Sequence, residues 1–360
     1  MVNIIRRNLV DLPTNYSLNY YWCSGFMISA FMVFQIFTGV ILSFLYVADS
    51  GLSFCCVMDF TNDSFFAWCV RYWHIWGVTI LFILLFVHMG RALYYSSYNK
   101  IGAWNIGFLL YLLTMAEAFM GYILPWHQMS YWAATVLTSI VQSLPIVGSV
   151  LYSYIVGGFS VTNVTLVRVF SAHVCLGFVI LGLMVIHLFY LHRSGSNNPL
   201  FVSNGYSDVV YFHSYFTIKD FMCLMVVLLS IIFCLFYLPE YVLDVESYLE
   251  ADSLNTPATI KPEWYFLLFY AVLRCIDSKL GGLAVILIIL FLLWIPTYNF
   301  SCSYCLSRQF VFWSIVSLFI SLTYLGGCHP EYPYLVVCKV FSGVLVAFMF
   351  VYKLLWQYEN

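Results

Sequence analysis

Four histidines with one repeated spacing are the residues whose arrangement most clearly predicts chemistry in this sequence. His74 and His88 lie in one apolar stretch, His173 and His187 lie in a later one, and the members of each pair are 14 residues apart. Fourteen residues of α-helix return to nearly the same face and rise by about 21 Å. Each helix would therefore present two imidazoles on one face, at two levels of a membrane.

The matched spacing favours a ligand shared between the two helices at each level. Both pairs follow the same order from one membrane surface inward, so His74 would face His173 and His88 would face His187. Each gap fits one iron porphyrin with histidine on both axial positions, and an iron without an open position carries electrons rather than binding oxygen. The alternative is four polar residues packed inside a helical bundle, although intramembrane histidines are functional by default.

Two pairs of glycines repeat the histidine spacing on neighbouring apolar stretches. Gly25 and Gly39 are 14 residues apart, and so are Gly107 and Gly121. Glycine lets a backbone approach a flat ligand closely, which two stacked macrocycles would need on the flanking helices. Small residues also help helices to pack in lipid, but that alternative does not explain the shared spacing.

Three arginines are candidates for contacts with the anionic propionates of a haem. Arg71 precedes His74 by three residues, and Arg91 follows His88 by three, so each would lie on the face of its histidine and nearer the membrane surface. Arg168, five residues before His173, is a weaker candidate. The alternative is that these side chains extend to lipid phosphates.

The composition places these residues in a membrane protein. The 360 residues are 63% apolar and 8% charged, whereas a soluble domain carries about 25% charged residues. The net charge of −2 gives no indication of nucleic-acid binding. Eight stretches are long and apolar enough to cross lipid: Tyr21–Val47, Trp68–Tyr94, Trp104–Leu124, Leu166–Leu191, Phe221–Leu238, Leu283–Tyr298, Phe310–Leu325 and Tyr334–Leu355.

These stretches predict an all-α integral membrane protein with eight transmembrane helices. We expect the first four to form a bundle around two b-type haems. A polar segment, Arg193–Asp220, divides the chain into residues 1–195, with an amphipathic connector at 129–142, and residues 196–360, with a long outer loop at 239–280.

The charges of the loops predict the orientation of the helices. Positive residues accumulate on the inner side of a membrane, and one set of loops carries Arg6, Arg7, Lys100, Arg193, Lys219, Arg308 and Lys353. The other set is acidic, with Asp49, Asp59, Asp63, Glu240, Asp244, Glu246, Glu250, Asp252 and Glu331. Both termini are therefore expected on the inner side. The acidic Glu240–Asp252 segment is either a docking surface for a basic partner or a solvated loop.

Several sequence motifs resemble those of mitochondrial cytochrome b. They are DLPTNYSLNYYW from Asp11 onward, GYILPWHQMSYW at Gly121–Trp132, SGSNNP at Ser194–Pro199, TIKD at Thr217–Asp220 and PEWY at Pro262–Tyr265. The resemblance extends over nearly the whole chain, and PEWY after a long outer loop is a specific signature.

The resemblance implies the function of a respiratory complex III subunit. Cytochrome b is the membrane core of ubiquinol–cytochrome c oxidoreductase, where it binds two haem b groups, oxidises ubiquinol near the outer surface and reduces quinone near the inner surface. This electron flow is coupled to proton translocation. The implied partners are a Rieske iron–sulfur protein, a membrane-anchored cytochrome c subunit, other complex III subunits, lipid and a second copy of the chain. The implied location is the mitochondrial inner membrane, with both termini in the matrix.

The resemblance also implies where quinol is oxidised. Glu263 of PEWY matches a carboxylate beside the outer, low-potential haem, where burial would raise its pKa and let it accept a proton. Tyr122 and Tyr265 match neighbouring polar positions of the same site. The family usually has glycine at the positions of His127 and Ala133, so we expect this pocket to differ in shape from the family's.

The implied site of quinone reduction lies near the inner, high-potential haem. His192, Ser196 and Asp220 match the family's quinone-reducing positions, and Lys219 is a candidate proton-entry residue, since titratable groups deliver protons to a reduced quinone. These residues also border water, so solvation is the alternative.

Glu117 lies in the middle of the third predicted span, where a carboxyl group needs a partner or a proton. It is either a structural hydrogen-bond group or a residue of a proton path, and we favour the structural hydrogen bond.

Two other functional classes share some of these features. A transporter would use intramembrane histidines to relay protons, but it would bind no haem. A dihaem membrane anchor of another quinone oxidoreductase would keep the histidines, but it would not need the outer PEWY motif.

Overall fold

The computed structural model describes residues 6–200, 208–295, 297 and 304–354. In these residues the chain forms twelve α-helices. They are α1 (Ser24–Ser43), α2 (Ser53–Asp63), α3 (Phe65–Tyr94), α4 (Ile101–Ile123), α5 (Gln128–Gln142), α6 (Gly148–Val156), α7 (Asn163–Ser194), α8 (Phe212–Tyr237), α9 (Leu267–Arg274), α10 (Lys279–Trp294), α11 (Leu306–Gly327) and α12 (Tyr334–Leu354).

Seven of these helices are long and apolar enough to cross a membrane: α1 with the preceding turn, α3, α4, α7, α8, α11 and α12. They match seven of the eight predicted spans, and the all-α membrane fold is confirmed. The remaining predicted span, Leu283–Tyr298, corresponds to α10, which ends at Trp294, while position 298 lies outside the described residues.

The contacts of α10 show that it extends from one end of the bundle to the other. At its start, Lys279 Nζ donates to Ser139 Oγ on α5 at 3.3 Å. At its end, Trp294 accepts at its carbonyl from Trp104 Nε1 at 2.8 Å and donates from Nε1 to Asn105 Oδ1 at 3.0 Å, both at the start of α4. Sixteen residues rise only about 24 Å, so α10 is shorter than the seven candidate spans, and the eighth crossing stays a prediction.

The histidine-bearing helices belong to a four-helix bundle of α1, α3, α4 and α7. Within it, α1 packs most closely on α3, and α4 on α7. Because α4 runs back between them, α3 and α7 point in the same direction. We call the bundle end nearer His74 and His173 the outer end and the end nearer His88 and His187 the inner end.

Polar side chains fix the outer starts of these two helices. Ser64 Oγ accepts from Ala67 N at 3.3 Å and begins α3. At the start of α7, Thr165 Oγ1 accepts from Thr162 N at 3.0 Å and donates to Val156 O at 2.7 Å. These bonds satisfy backbone groups that a helix end leaves free, and they fix where each histidine lies along the membrane.

The second half of the chain packs against this bundle. Tyr265 stacks on Phe82 of α3 with ring centroids 4.0 Å apart and planes 6° apart, and both rings are buried. Trp76 Nε1 donates to Pro239 O at 3.2 Å. Most of α9–α12 forms a separate apolar core around Ala271, Val272 and Leu322.

The described ends of the chain lie at the inner end of the bundle. Lys219 Nζ, near the start of α8, donates to Leu18 O at 3.1 Å. Arg308 at the start of α11 donates to Ser96 Oγ at 2.7 Å, beside the end of α3. Lys353 at the end of α12 lies 4.2 Å from the ring centroid of Tyr98.

Three local features were not predicted from the sequence. A two-stranded antiparallel ribbon pairs β1 (Pro13–Asn15) with β2 (Val209–Tyr211). Helix α6 follows the connector, which itself begins one residue earlier than predicted. Ser214 has φ 80°, so the regular part of α8 begins after it.

Candidate functional site

At the inner end, two imidazoles face each other at a distance that suits one metal between them. The ring centroids of His88 and His187 are 6.5 Å apart. Two imidazoles on opposite sides of one metal, each at about 2 Å, place their ring centres roughly 6 Å apart. Ser24 Oγ lies 3.1 Å from His88 Nδ1. With the proton on Nδ1 donated to this hydroxyl, Nε2 is left as the ligand atom.

The outer histidines have oxygen partners at the same ring atom. Thr38 Oγ1 lies 2.8 Å from His74 Nδ1. The carbonyl oxygen of Glu117 lies 3.0 Å from His173 Nδ1, and its side-chain Oε1 lies 3.1 Å from the same atom. Such partners fix the tautomer and the ring orientation of a ligating histidine.

The four glycines each face the ring of one of the four histidines. A Cβ added at Gly121 would lie 2.8 Å from His173 Cε1, and one at Gly107 would lie 3.0 Å from His187 Cε1. The corresponding distances are 3.3 Å from Gly39 to His74 Cε1 and 3.4 Å from Gly25 to His88 Cε1. The glycines therefore leave room for the histidine rings themselves, at the two levels predicted from the spacing.

The arginines differ in their surroundings. Arg91 Nη2 lies 3.4 Å from His88 Nδ1, and its guanidinium lies 5.1 Å from the Trp22 ring centroid. Arg71 Nη1 donates to Thr61 Oγ1 of α2 at 2.9 Å, at the outer end. Arg168 Nη1 donates to the carbonyl of Tyr154 on α6.

These residues fit a pair of haems. In the hydrogen bonds of the described chain, the four histidines take part only through backbone atoms and Nδ1, so all four Nε2 atoms remain available as ligands. The Nδ1 atom of His187 and the Nε atom of Arg91 are buried without a hydrogen-bond partner in the described residues. Outside the pairs, no group of three or more His, Cys, Asp or Glu that could hold a metal is found in the described part of the chain.

Sequence comparison identifies the family of this chain with its two histidine pairs. A family model described as cytochrome b/b6/petB matches residues 9–195, more than half of the chain, and one described as cytochrome b (C-terminal)/b6/petD matches residues 250–346. The chain belongs to the cytochrome b family. Membership implies binding of haem b and a role as a membrane redox protein.

A solved structure is similar to this cytochrome b over its whole length. The matched chain is titled hyperthermophilic respiratory Complex III; it is 27% identical, with a TM-score of 0.92, and the alignment covers 100% of this chain and 97% of the other. The similarity confirms the fold.

The residues expected to oxidise quinol come together at the outer end of the bundle. Glu263 interacts electrostatically with both Tyr122 and Tyr265. Tyr122 directly follows Gly121, which faces the ring of His173. The predicted outer site is therefore adjacent to the outer histidine pair.

The carboxylate of Glu263 is suited to proton transfer. Burial, with a further contribution from the nearby Asp244, raises the pKa of Glu263 to about 7, and Lys261 opposes this shift. Asp244 and Lys261 form an ion pair with an N–O distance of 2.8 Å. No side-chain hydrogen bond of Glu263 is found among the described residues, so its oxygens remain available to a substrate.

His127 acts as the N-cap of the connector helix α5. The backbone N–H of Ser130 donates to His127 Nδ1 at 3.1 Å, and Ser130 Oγ accepts from His127 N at 2.9 Å. Because a backbone N–H only donates, Nδ1 carries no proton and the neutral ring is protonated at Nε2. Burial, aided by the Arg71 cation, lowers the pKa of His127 to about 3. Its ring lies edge-on to Tyr122 at 5.4 Å, and Ala133 is buried in the same helix.

The predicted inner-site residues lie in two groups. Lys219 and Asp220 pack against the turn before α1, where Lys219 bonds to Leu18 O and Asp220 lies within hydrogen-bonding reach of Cys23. His192 is in the last turn of α7 and Ser196 just follows that helix. Among the described residues, no side-chain hydrogen bond or ion pair joins the two groups.

Sequence analysis missed the oxygen partners of the histidines, although a signal for two of them was present. Ser24 and Thr38 each precede one of the paired glycines, so they are also 14 residues apart. Glu117 precedes Gly121 by four residues, which places both on one helix face. The expected structural hydrogen bond of Glu117 therefore goes to His173.

Proposed function

We propose that this cytochrome b is the membrane core of a ubiquinol–cytochrome c oxidoreductase. Quinol is oxidised at the outer end beside Glu263, quinone is reduced at the inner end beside Asp220, and the two reactions are coupled to proton translocation. Two haem b groups, held by His74 with His173 and by His88 with His187, supply one-electron carriers between the two ends when bound.

The observation that carries this proposal is the geometry of the two histidine pairs. The 6.5 Å between the ring centroids of His88 and His187 suits bis-axial ligation of one iron. In the outer pair each histidine ring also faces a glycine, and each Nδ1 atom lies within hydrogen-bonding distance of an oxygen atom. Arg91 and Arg71 are the residues we propose for contacts with propionates.

At the outer end, Glu263 is the proposed general base for quinol. Its raised pKa, about 7, lies near the pH at which a base is most effective. Tyr122 and Tyr265 line the same region, and the stacked pair of Tyr265 with Phe82 keeps that side apolar. In this proposal Tyr122 and Tyr265 contact the quinol ring, and Glu263 accepts its proton.

At the inner end, Asp220 and Lys219 are the proposed proton donors to reduced quinone, with His192 and Ser196 as binding residues. Asp220 is buried beside Cys23. Cys23 precedes Ser24, which contacts His88. This short connection supports a quinone site next to the inner haem.

The proposed partners and location follow from the resemblance to complex III. We propose assembly with a Rieske iron–sulfur protein, a membrane-anchored cytochrome c subunit, other complex III subunits and a second copy of this chain. The basic loops at the inner end support an orientation with both termini on the inner side of the membrane. We propose that this side is the matrix side of the mitochondrial inner membrane.

A reduced-minus-oxidised absorption spectrum of the intact complex tests the haem assignment. His74→Leu should remove one of two b-type signals, and His88→Leu should remove the other. His329→Leu, at an exposed histidine outside the bundle, is the matched control and should keep both. Retention of both signals in a stable His88→Leu protein would refute the ligand assignment.

A dihaem anchor for another quinone oxidoreductase is the second candidate, supported by the same histidine geometry. It predicts the two haem signals without quinol oxidation at the outer end. Steady-state quinol:cytochrome c activity of wild-type membranes, with Glu263→Gln as the comparison, separates the two functions.

A further inference from the structure

Glu117 lies inside α4, and its carboxyl group is directed at one of the proposed haem ligands. Its Oε1 atom is 3.1 Å from His173 Nδ1. The carbonyl oxygen of the same residue is 3.0 Å from that nitrogen. One N–H of His173 therefore has two acceptors, and the side-chain acceptor is additional to a backbone bond that would by itself fix the tautomer.

The second carboxyl oxygen of Glu117 has no partner. Oε2 is buried and makes no hydrogen bond in the described part of the chain. No lysine or arginine of the described residues forms an ion pair with Glu117. A carboxyl group in the interior of a membrane bundle is costly unless something compensates it, and the side-chain contact that Glu117 makes is to His173.

The chain leaves space for this carboxyl group on the facing helix. A Cβ added at Gly177 of α7 would lie 3.2 Å from Glu117 Oε1. Gly177 is one helical turn after His173, on the same face. Any side chain at this position would press on the carboxyl group and on its contact with His173.

The other histidine pair does not have this feature. His88 Nδ1 lies 3.1 Å from the hydroxyl of Ser24 and 3.4 Å from Nη2 of Arg91, and no side-chain hydrogen bond of His187 is found among the described residues. His74, the outer partner of His173, meets the hydroxyl of Thr38. The two proposed haem levels therefore differ in that only the outer one has a carboxyl group beside a ligand.

We propose that Glu117 is a positioning residue that makes His173 a more electron-donating ligand and so lowers the reduction potential of the outer haem. This proposal rests on the proposed function, in which His173 ligates iron. A carboxyl acceptor on the distal ring nitrogen raises the basicity of a ligating histidine. A more basic axial ligand stabilises ferric iron, which is one of the means by which a protein sets a haem potential.

Redox potentiometry of the intact complex, followed by the haem absorption bands, tests the proposal. Glu117→Gln keeps the shape and an acceptor oxygen but removes the carboxyl group. We expect the ferric–ferrous equilibrium of the outer haem to shift about tenfold toward ferrous iron, or about 59 mV for one electron. The inner haem is the control within the same protein, and its potential should not change.

Gly177→Ala is a second variant, since it keeps Glu117 but presses on its carboxyl group. It should shift the outer haem in the same direction by less. Unchanged outer potentials in both variants would overturn the proposal while the haem assignment stands, whereas absence of two b-type signals in the wild type would overturn the proposed function itself.

Discussion

At the scale of single residues, Glu263 is the group on which quinol oxidation should depend most. Glu263→Gln keeps the size of the side chain but removes its ability to accept a proton. We expect quinol oxidation to slow by roughly tenfold or more, at the low end of general-base effects. The haem spectrum should be unchanged, because Glu263 does not contact the histidines. Wild-type turnover of this variant from about pH 6 to 9 would exclude Glu263 as the base.

The charges beside Glu263 give a prediction about pH dependence. Its base form is the active one, so the rate should rise with pH through the pKa of about 7. Asp244→Asn removes the repulsive anion and leaves Lys261 unpaired, and both effects lower the pKa of Glu263. The acid limb of kcat/KM should therefore move to lower pH. Lys261→Gln should move it to higher pH, and identical profiles in the two variants would contradict the assignment.

The proposed haem ligands could be predicted from the sequence because their spacing repeats, but their hydrogen-bond partners could not. Spacing places His173 on a helix face, but it does not state that the Glu117 carboxyl group reaches its Nδ1. That contact depends on how α4 and α7 lie against each other and on the absence of a side chain at Gly177. Rotations of a few degrees between helices decide such contacts, and local patterns do not specify them.

At the scale of helices, the glycine that most closely faces a histidine should be the least replaceable. Gly121→Ala would put Cβ 2.8 Å from His173 Cε1, so the ring has to move. We expect loss or displacement of the outer haem signal. Gly25→Ala is the matched control, since its Cβ would lie 3.4 Å from His88 Cε1, an ordinary contact. Equal haem spectra in both variants would show that helix α4 adjusts freely.

The N-terminus of α5 depends on His127 through its Nδ1 atom rather than through a charge. His127→Ala removes the acceptor for Ser130 N and should cost about 1 kcal/mol of stability, as for other N-cap losses. His127→Asn restores a good N-cap and should recover most of it. Thermal loss of the haem absorption measures the difference. A similar loss in both variants would mean that the ring's contact with Tyr122, not the cap, supports the helix.

The apolar spans were predictable because lipid imposes a minimum length on every crossing helix. The connector was predictable from its amphipathic pattern, and it begins at Gln128, one residue before the predicted start. Helix α6 was not predictable, because its nine residues, Gly148–Val156, are too few to show a clear helical periodicity. The ribbon of β1 and β2 joins segments almost 200 residues apart, and sequence periodicity does not report such pairings.

At the scale of the whole molecule, the short helix α10 decides how the chain is oriented. Eight crossings place both ends of the chain on one side, and seven would place them on opposite sides. The contacts of α10 support eight crossings, because Lys279 contacts the connector helix α5 at the outer end and Trp294 contacts the start of α4 at the inner end. The predicted division of the chain at residue 195 stays a prediction. The contacts of α10 with Ser139 and Trp104 join residues on either side of this division.

Sealed vesicles of known sidedness test this orientation. Epitope tags fused before Met1 and after Asn360 should be reached by antibody from the same side, the one with the basic loops. A tag inserted at Leu254, which is 94% exposed in the outer loop, is the control and should be reached from the opposite side. If α10 failed to cross, α11 and α12 would be inverted, and the C-terminal tag would appear together with the Leu254 tag. That outcome would separate Arg308 from Ser96 by the thickness of the bilayer, in conflict with the 2.7 Å bond between them.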